Sequence, residues 1–245
     1  MIKAQNFIYD QDSFKNVLIG SSLSHRIVTD SLPDTYSLAF SGQSIYDGLN
    51  ILLNRKRNPK NVFIEMNVVF RPENKDYAAS LFSPILFYSA YTFRSLRADK
   101  QPIAILGAIM NRKLIGPMLR GNAVSTLPNH ELFNKMLKLQ MADYSKIPPD
   151  KIIQDRFNLL ETYVTTLTKR GIHIVFFEMP VDSSLENLAQ AKLIRKLYYR
   201  KFPEKEFQYL PLPPGTYQTS DGIHLADDDA LRYTRYFRSE LKSIF

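Results

Sequence analysis

The chain has 245 residues, 44% hydrophobic and 23% charged, a balance near the globular average that excludes a disordered tail or a mini-protein. Cysteine is absent, which removes disulfide frameworks, Cys-ligated zinc, thiolate nucleophiles and iron–sulfur clusters together. Lys and Arg total 32 against 24 Asp and Glu, and the formal charge of +8 favours anionic surroundings: nucleic acid, lipid head groups or acidic glycans.

No apolar run of signal-peptide length opens the chain, and none reaches the roughly 20 residues that span a bilayer. Short apolar runs then alternate with helical periodicity. Val17 to Ile19 with Gly20 reads as a buried strand, and Tyr36 to Phe40 as a second. Between Ser44 and Arg55, Ile45, Leu49, Leu52 and Leu53 fall on one helical stripe, and a third strand follows at Val62 to Met66.

Residues 71–147 break the alternation and read as an insertion into a single domain spanning 1–245. They hold two largely apolar stretches, Leu81 to Phe93 and Pro102 to Met110, expected as helices over the sheet edge or as a membrane-facing or acyl-covering lid. After Pro148-Pro149, Asp150 caps a helix whose Ile153, Phe157, Leu160, Val164 and Leu167 recur every three or four residues until Gly171 ends it. A strand at Ile172 to Phe177, a helix from about Leu185 to Tyr199, a strand near Phe207 to Leu210 and a last helix from Asp228 to Leu241 complete the pattern. The fold class is therefore α/β: a three-layer α/β/α sandwich around a mostly parallel sheet of about five strands, of flavodoxin-like type.

Phosphate cradles are missing: there is neither G-x-x-x-x-G-K-[ST] nor G-x-G-x-x-G after a strand. His25, His130, His173 and His224 are scattered without metal-ligand spacing, so neither a metal nor a cofactor is expected. What remains is polar residues just beyond the carboxyl ends of the proposed strands, where open α/β sheets put their ligand sites. Gly20-Ser21-Ser22-Leu23 follows the first strand, Ser41-Gly42-Gln43-Ser44 the second, Asn67 the third, and Asp221-Gly222-Ile223-His224 the last. A hydroxyl, an imidazole, a carboxylate and oxyanion donors suit acyl transfer through a serine ester.

In order and spacing these four blocks resemble the SGNH, or GDSL, hydrolase superfamily. The resemblance covers both ends of the chain but not the insertion. It implies Ser22 as nucleophile, His224 as general base and Asp221 as its orienter, with the Ser22 and Gly42 N–H groups and the Asn67 side chain as oxyanion donors. The chemistry agrees: a serine hydroxyl needs a base, an imidazole of ordinary pKa near 6.5 serves at neutral pH, and glycine at 42 lets the backbone approach the oxyanion.

Two departures stand out. Ser21 occupies the place of the aspartate in the name-giving block, and Glu65 and Val68 flank the third block where glycine and aspartate are usual. The G-S-S form resembles envelope proteins that load acyl groups onto polymers, such as those of teichoic acid D-alanylation and alginate acetylation. That branch implies a carbohydrate substrate, anionic in those cases, a membrane-bound acyl-donor partner, and an envelope location with an anchor ahead of Met1, while the lack of a visible signal or spanning segment leaves a cytoplasmic location as the alternative. A non-catalytic glycan-binding module on the same fold is the competing expectation.

Other residues have plainer readings. Ser21 is the nearest rival to Ser22 as nucleophile. His25 and His173 read as structural, Asp227, Asp228 and Asp229 as first-turn acids at a helix amino end, and Glu65 and Glu178 as polar groups ending strands. Basic residues gather at Arg55-Lys56-Arg57 with Lys60, at Lys192, Arg195, Lys196, Arg200 and Lys201, and at Arg232, Arg235 and Arg238, the last set spaced like a solvated helix face. Nucleic acid is not expected as a partner.

Overall fold

The computed structural model describes residues 1–9, 13–55, 57–84, 97 and 130–244. Their elements in chain order are α1 (Ile2–Tyr9), β1 (Asn16–Gly20), β2 (Thr35–Ala39), α2 (Ile45–Leu53), β3 (Asn61–Glu65), α3 (Lys75–Phe82), α4 (His130–Tyr144), α5 (Asp150–Lys169), β4 (His173–Phe177), α6 (Ala189–Lys201), β5 (Gln208–Tyr209) and α7 (Asp227–Ile244), with short 3-10 turns at Ser24–Arg26 and Thr29–Ser31.

The five strands form one sheet in the order β2-β1-β3-β4-β5, and every pair is parallel. This is the flavodoxin-like order, in which the chain reverses direction across the sheet beside the first strand. β1 and β3 are buried along their whole length, as strands covered by helices on both faces must be. Alternate side chains of β3 and β4 feed the two faces. Phe63 and Phe177 meet Phe237 of α7 edge-on at 5.3 and 5.4 Å, whereas Phe176 packs on Tyr198 of α6 at 5.2 Å and Tyr198 on Phe157 of α5. The result is a three-layer α/β/α sandwich.

Helix starts and stops follow local chemistry. Ser44 and Asp47 close a reciprocal capping box at the head of α2. α5 begins directly after Pro148-Pro149, with Asp150 as its first residue, and Gly171 turns the chain out of it at φ +76°. α6 starts at Ala189, later than the expected Leu185, because the chain from Asp182 first folds into turns whose Ser184 N–H and hydroxyl both bond the Asp182 carboxylate. α7 opens with Asp227, Asp228 and Asp229, and Arg26 reaches Asp227 at 2.5 Å.

Two compact units divide the chain. Ser13–Glu73 with Leu127–Phe245 carries the whole sheet. Met1–Asp12 with Asn74–Thr126 forms the other, and its described elements are α1, whose Ala4 and Phe7 are fully buried, and α3, capped by the Asn74 side chain at the Tyr77 N–H. Most of the Leu81–Phe93 stretch, and all of Pro102–Met110, lie outside the described residues. No described helix is long and apolar enough to cross a membrane. Of the expected basic clusters, Arg55 is buried with its guanidinium over the Phe14 ring, and Arg232 stacks on Tyr217 at 3.9 Å, so neither is simply a solvated charge.

Candidate active site

The parallel register places three of the candidate segments side by side. Gly20 pairs with Ala39 and Ile19 with Ile64, so Ser22, Gly42 and Asn67 all lie two or three residues beyond paired positions of β1, β2 and β3. All three therefore emerge at the carboxyl edge of the sheet, beside the point where strand order reverses.

The fourth segment is a self-bonded loop ahead of α7. Thr219 and Leu225 bridge antiparallel, the Ser220 N–H donates to His224 O at 2.8 Å, and the Gly222 N–H donates to Thr219 Oγ1. Asp221 Oδ1 accepts the backbone N–H of Ile223 and of His224, at 3.1 and 2.8 Å, and Oδ2 lies 2.6 Å from His224 Nδ1. His224 Nε2 lies 2.9 Å from Ser22 Oγ, across 202 residues of sequence. The carboxylate only accepts, so Nδ1 carries the ring proton and Nε2 is left to accept from the Ser22 hydroxyl. Burial alone would raise the Asp221 pKa, but the hydrogen bonds from the His224 ring and from the two backbone N–H groups outweigh it and hold the carboxyl below its ordinary value.

Ser21, the rival nucleophile, is fully buried, and its hydroxyl donates to Glu65 Oε1 at 2.7 Å. Its N–H and that of Ser24 donate to Glu65 Oε2 at 2.9 and 3.2 Å, and the Ser24 hydroxyl donates to the same oxygen at 2.5 Å. Glu65 is fully buried at the end of β3 and faces inward to the turn that carries Ser22, away from solvent. Gly20 makes room for it: a Cβ there would lie 1.8 Å from Ser24 Oγ and 2.7 Å from Glu65 Oε2.

Among the described residues, neither the Ser22 nor the Gly42 N–H has a hydrogen-bond partner. Gly42 holds φ +78°, a conformation that glycine adopts at little cost. Asn67 is buried and paired twice with one backbone unit: Nδ2 donates to Met179 O at 2.9 Å, and Oδ1 accepts the Met179 N–H at 2.7 Å. The second Nδ2 hydrogen is not used by that pairing. The partner strand end is itself fixed, because Arg195 grips Glu178 through two bonds of 2.8 and 2.6 Å.

Three features here escape a reading of the sequence alone. Arg71 Nη1 donates to Gln43 O, tying the Gly42 turn to the loop that carries Asn67. Tyr144, at the end of α4, is buried with an unpartnered hydroxyl whose pKa is raised by burial first and then by Glu65, Glu178 and Asp221. A cavity of about 510 Å³ lies beside the Asp221–His224 loop, with Phe133, Asp182, Tyr217 and Thr219 among its walls but no member of the Ser22, His224, Asp221 set. None of the three had a sequence signal, whereas Glu65, described above, did: a carboxylate closing an apolar strand is rarely buried without partners.

His25 is occupied by Ala39 O at 3.1 Å, and His130 by Asn134 on the exposed start of α4. Among the described residues no group of three or more His, Asp or Glu side chains is gathered as a metal site needs. No family model, no curated protein and no solved structure matches the chain.

Proposed function

We propose that the protein is a serine-dependent acyl-ester enzyme acting on carbohydrate, of the SGNH type, which moves an O-acetyl group to or from a glycan of the cell envelope through an acyl-enzyme. The observation that carries this reading is the continuous chain from Asp221 Oδ2 through the His224 ring to Ser22 Oγ, 2.6 and 2.9 Å, at the carboxyl edge of a parallel sheet. The G-S-S block and the charge of +8 support an acidic polymer as substrate.

In the reaction, Ser22 Oγ attacks the ester carbonyl while its proton passes to His224 Nε2. The carbonyl oxygen, now negative, is met by the Ser22 and Gly42 N–H groups and the remaining Asn67 N–H. Asp221 holds the ring tautomer and stabilises the imidazolium that forms. The tetrahedral intermediate collapses, the alcohol leaves with the proton from His224, and the acyl group stays on Ser22. Water or a sugar hydroxyl then gives its proton to His224 and attacks the Ser22 ester, and as the product leaves His224 returns that proton to Ser22 Oγ, restoring the serine.

Hydrolysis and transfer differ only in that last acceptor. The test gives the purified protein an acetyl donor ester with and without acidic and neutral oligosaccharides, and follows acetate and acetylated sugar by mass spectrometry. Transfer yields acetylated oligosaccharide at the expense of acetate, with acidic acceptors weakened as salt rises. Acetate release unaffected by any acceptor, together with deacetylation of an acetylated glycan, identifies an esterase. Glycan binding with no turnover of any ester identifies a binding module instead.

A further inference from the structure

We infer that Glu65 is the positioning residue for the Ser22 nucleophile, an inference that rests on the serine-ester reading above. Its carboxylate accepts four bonds: one at Oε1 from the Ser21 hydroxyl, and three at Oε2 from the Ser21 N–H, the Ser24 N–H and the Ser24 hydroxyl. These donors lie on either side of Ser22 and Leu23, so one buried side chain on β3 fixes the whole turn that leaves β1. The clamp takes the N–H groups of residues 21 and 24 and leaves that of Ser22 to a developing oxyanion. It also sets where Ser22 Oγ stands relative to His224, which arrives on a loop from the far end of the chain.

Ser21 and Glu65, two of the three positions at which the chain departs from the SGNH pattern, touch each other at 2.7 Å. A carboxylate lies between β1 and β3, supplied from the β3 side and met by a hydroxyl on the β1 side. The pocket has room for one such group: Ser21, Ser24 and Glu65 are all fully buried, and the Gly20 backbone leaves no space for a single added carbon. A second carboxylate at position 21 would face the first, whose bonds among the described residues come from Ser21 and Ser24 and from no cation, and burying like charges side by side is strongly unfavourable. The charge and the hydroxyl are therefore exchangeable as a pair and not singly.

The test measures how fast a serine-directed fluorophosphonate labels Ser22, located by peptide mass, in wild type, Glu65→Gln, Glu65→Ser, Ser21→Asp and the exchange Ser21→Asp/Glu65→Ser, with a thermal melt of each. Glu65→Gln keeps the volume of the side chain and so keeps the test usable if the serine variant does not fold. Glu65→Gln is expected to label about 10- to 100-fold more slowly while remaining folded, since small misplacements of a reacting group cost that much. Each single change at 21 or 65 to Asp or Ser is expected to be slower still, and the exchange to recover at least about tenfold over Glu65→Ser, the non-additivity that marks two residues acting as a unit. In ester turnover, kcat should fall in parallel with the labelling rate, with KM little changed. Labelling at the wild-type rate in Glu65→Gln, with only the melting temperature lowered, overturns the inference and leaves the serine-ester reading standing. Absence of label on Ser22 in wild type overturns both.

Discussion

His224 Nε2 and Ser22 Oγ, 2.9 Å apart, join the last loop before α7 to the first turn after β1. Everything that fixes either partner therefore bears on the proposed reaction. The imidazole is held by Asp221 and by a loop that closes on itself through Thr219 and Leu225, and the hydroxyl by a turn clamped from β3. Neither group depends on a side chain free to wander, which is the condition for a preorganised nucleophile and base.

Replacing Ser22 by Ala should lower ester turnover toward the residual level left by the oxyanion donors, a fall on the order of 10⁴- to 10⁶-fold in kcat, with the melt unchanged. Ser21→Ala removes the Ser21 bond to Glu65 Oε1 and the acceptor of the Leu23 N–H, and should cost roughly 1–3 kcal/mol of stability with a much smaller kinetic effect. Steady-state kinetics and chemical denaturation of the two variants provide the check, and a reversed order of the kinetic effects contradicts the assignment.

Asn67→Ala should lower kcat about 100- to 1000-fold with little change in KM, because in the proposed mechanism the donor serves charge present only in the transition state. The same change breaks both bonds to Met179 and leaves a buried N–H and C=O unpaired, so a stability loss of roughly 1–3 kcal/mol should accompany it. Equal activity alongside that loss would make the amide purely structural.

The depressed Asp221 pKa has a definite sign in stability. A carboxyl whose folded pKa lies below its unfolded value stabilises the fold at all pH above the unfolded value, about 3.9, and that contribution disappears as pH falls through the folded pKa. Asp221→Asn should flatten the acid limb of the stability profile below about pH 4. It should also cost on the order of 10⁴-fold in kcat at neutral pH, since an amide N–H opposite Nδ1 favours the wrong tautomer. Acid titrations followed by circular dichroism, and kinetics at neutral pH, test the two halves separately.

Gly20→Ala should abolish activity and destabilise the protein, because the added carbon overlaps Ser24 Oγ and crowds Glu65. A folded, active Gly20→Ala variant would contradict the described packing of the turn.

The fold was legible because its strands are short apolar runs set between helical stripes. Val17 to Ile19 and Val62 to Ile64 could be little else, and the polar segments after each strand could then be placed at one edge. The boundary of α6 was less so, since the Asp182–Ser184 turn competes locally with a helix the periodicity would allow. Helix α4 hid in a stretch where its exposed Leu132 and Leu139 blur the apolar stripe. At the site, D-x-x-H spacing made the Asp221–His224 contact readable, because both groups lie on one loop. The Glu65 clamp and the Asn67–Met179 pairing were not, because they join residues 41 to 112 positions apart and depend on which strands are neighbours.

The account stands most directly on a covalent acyl group at Ser22. Protein mixed with 4-nitrophenyl acetate, quenched in acid within the first turnovers and digested, should carry an acetyl group on the peptide containing Ser22, at a site localised by fragmentation. The signal should be absent from Ser22→Ala and much reduced in His224→Ala. An acetyl group on Ser21, or turnover of the ester with no acetylated serine at any time, would contradict it.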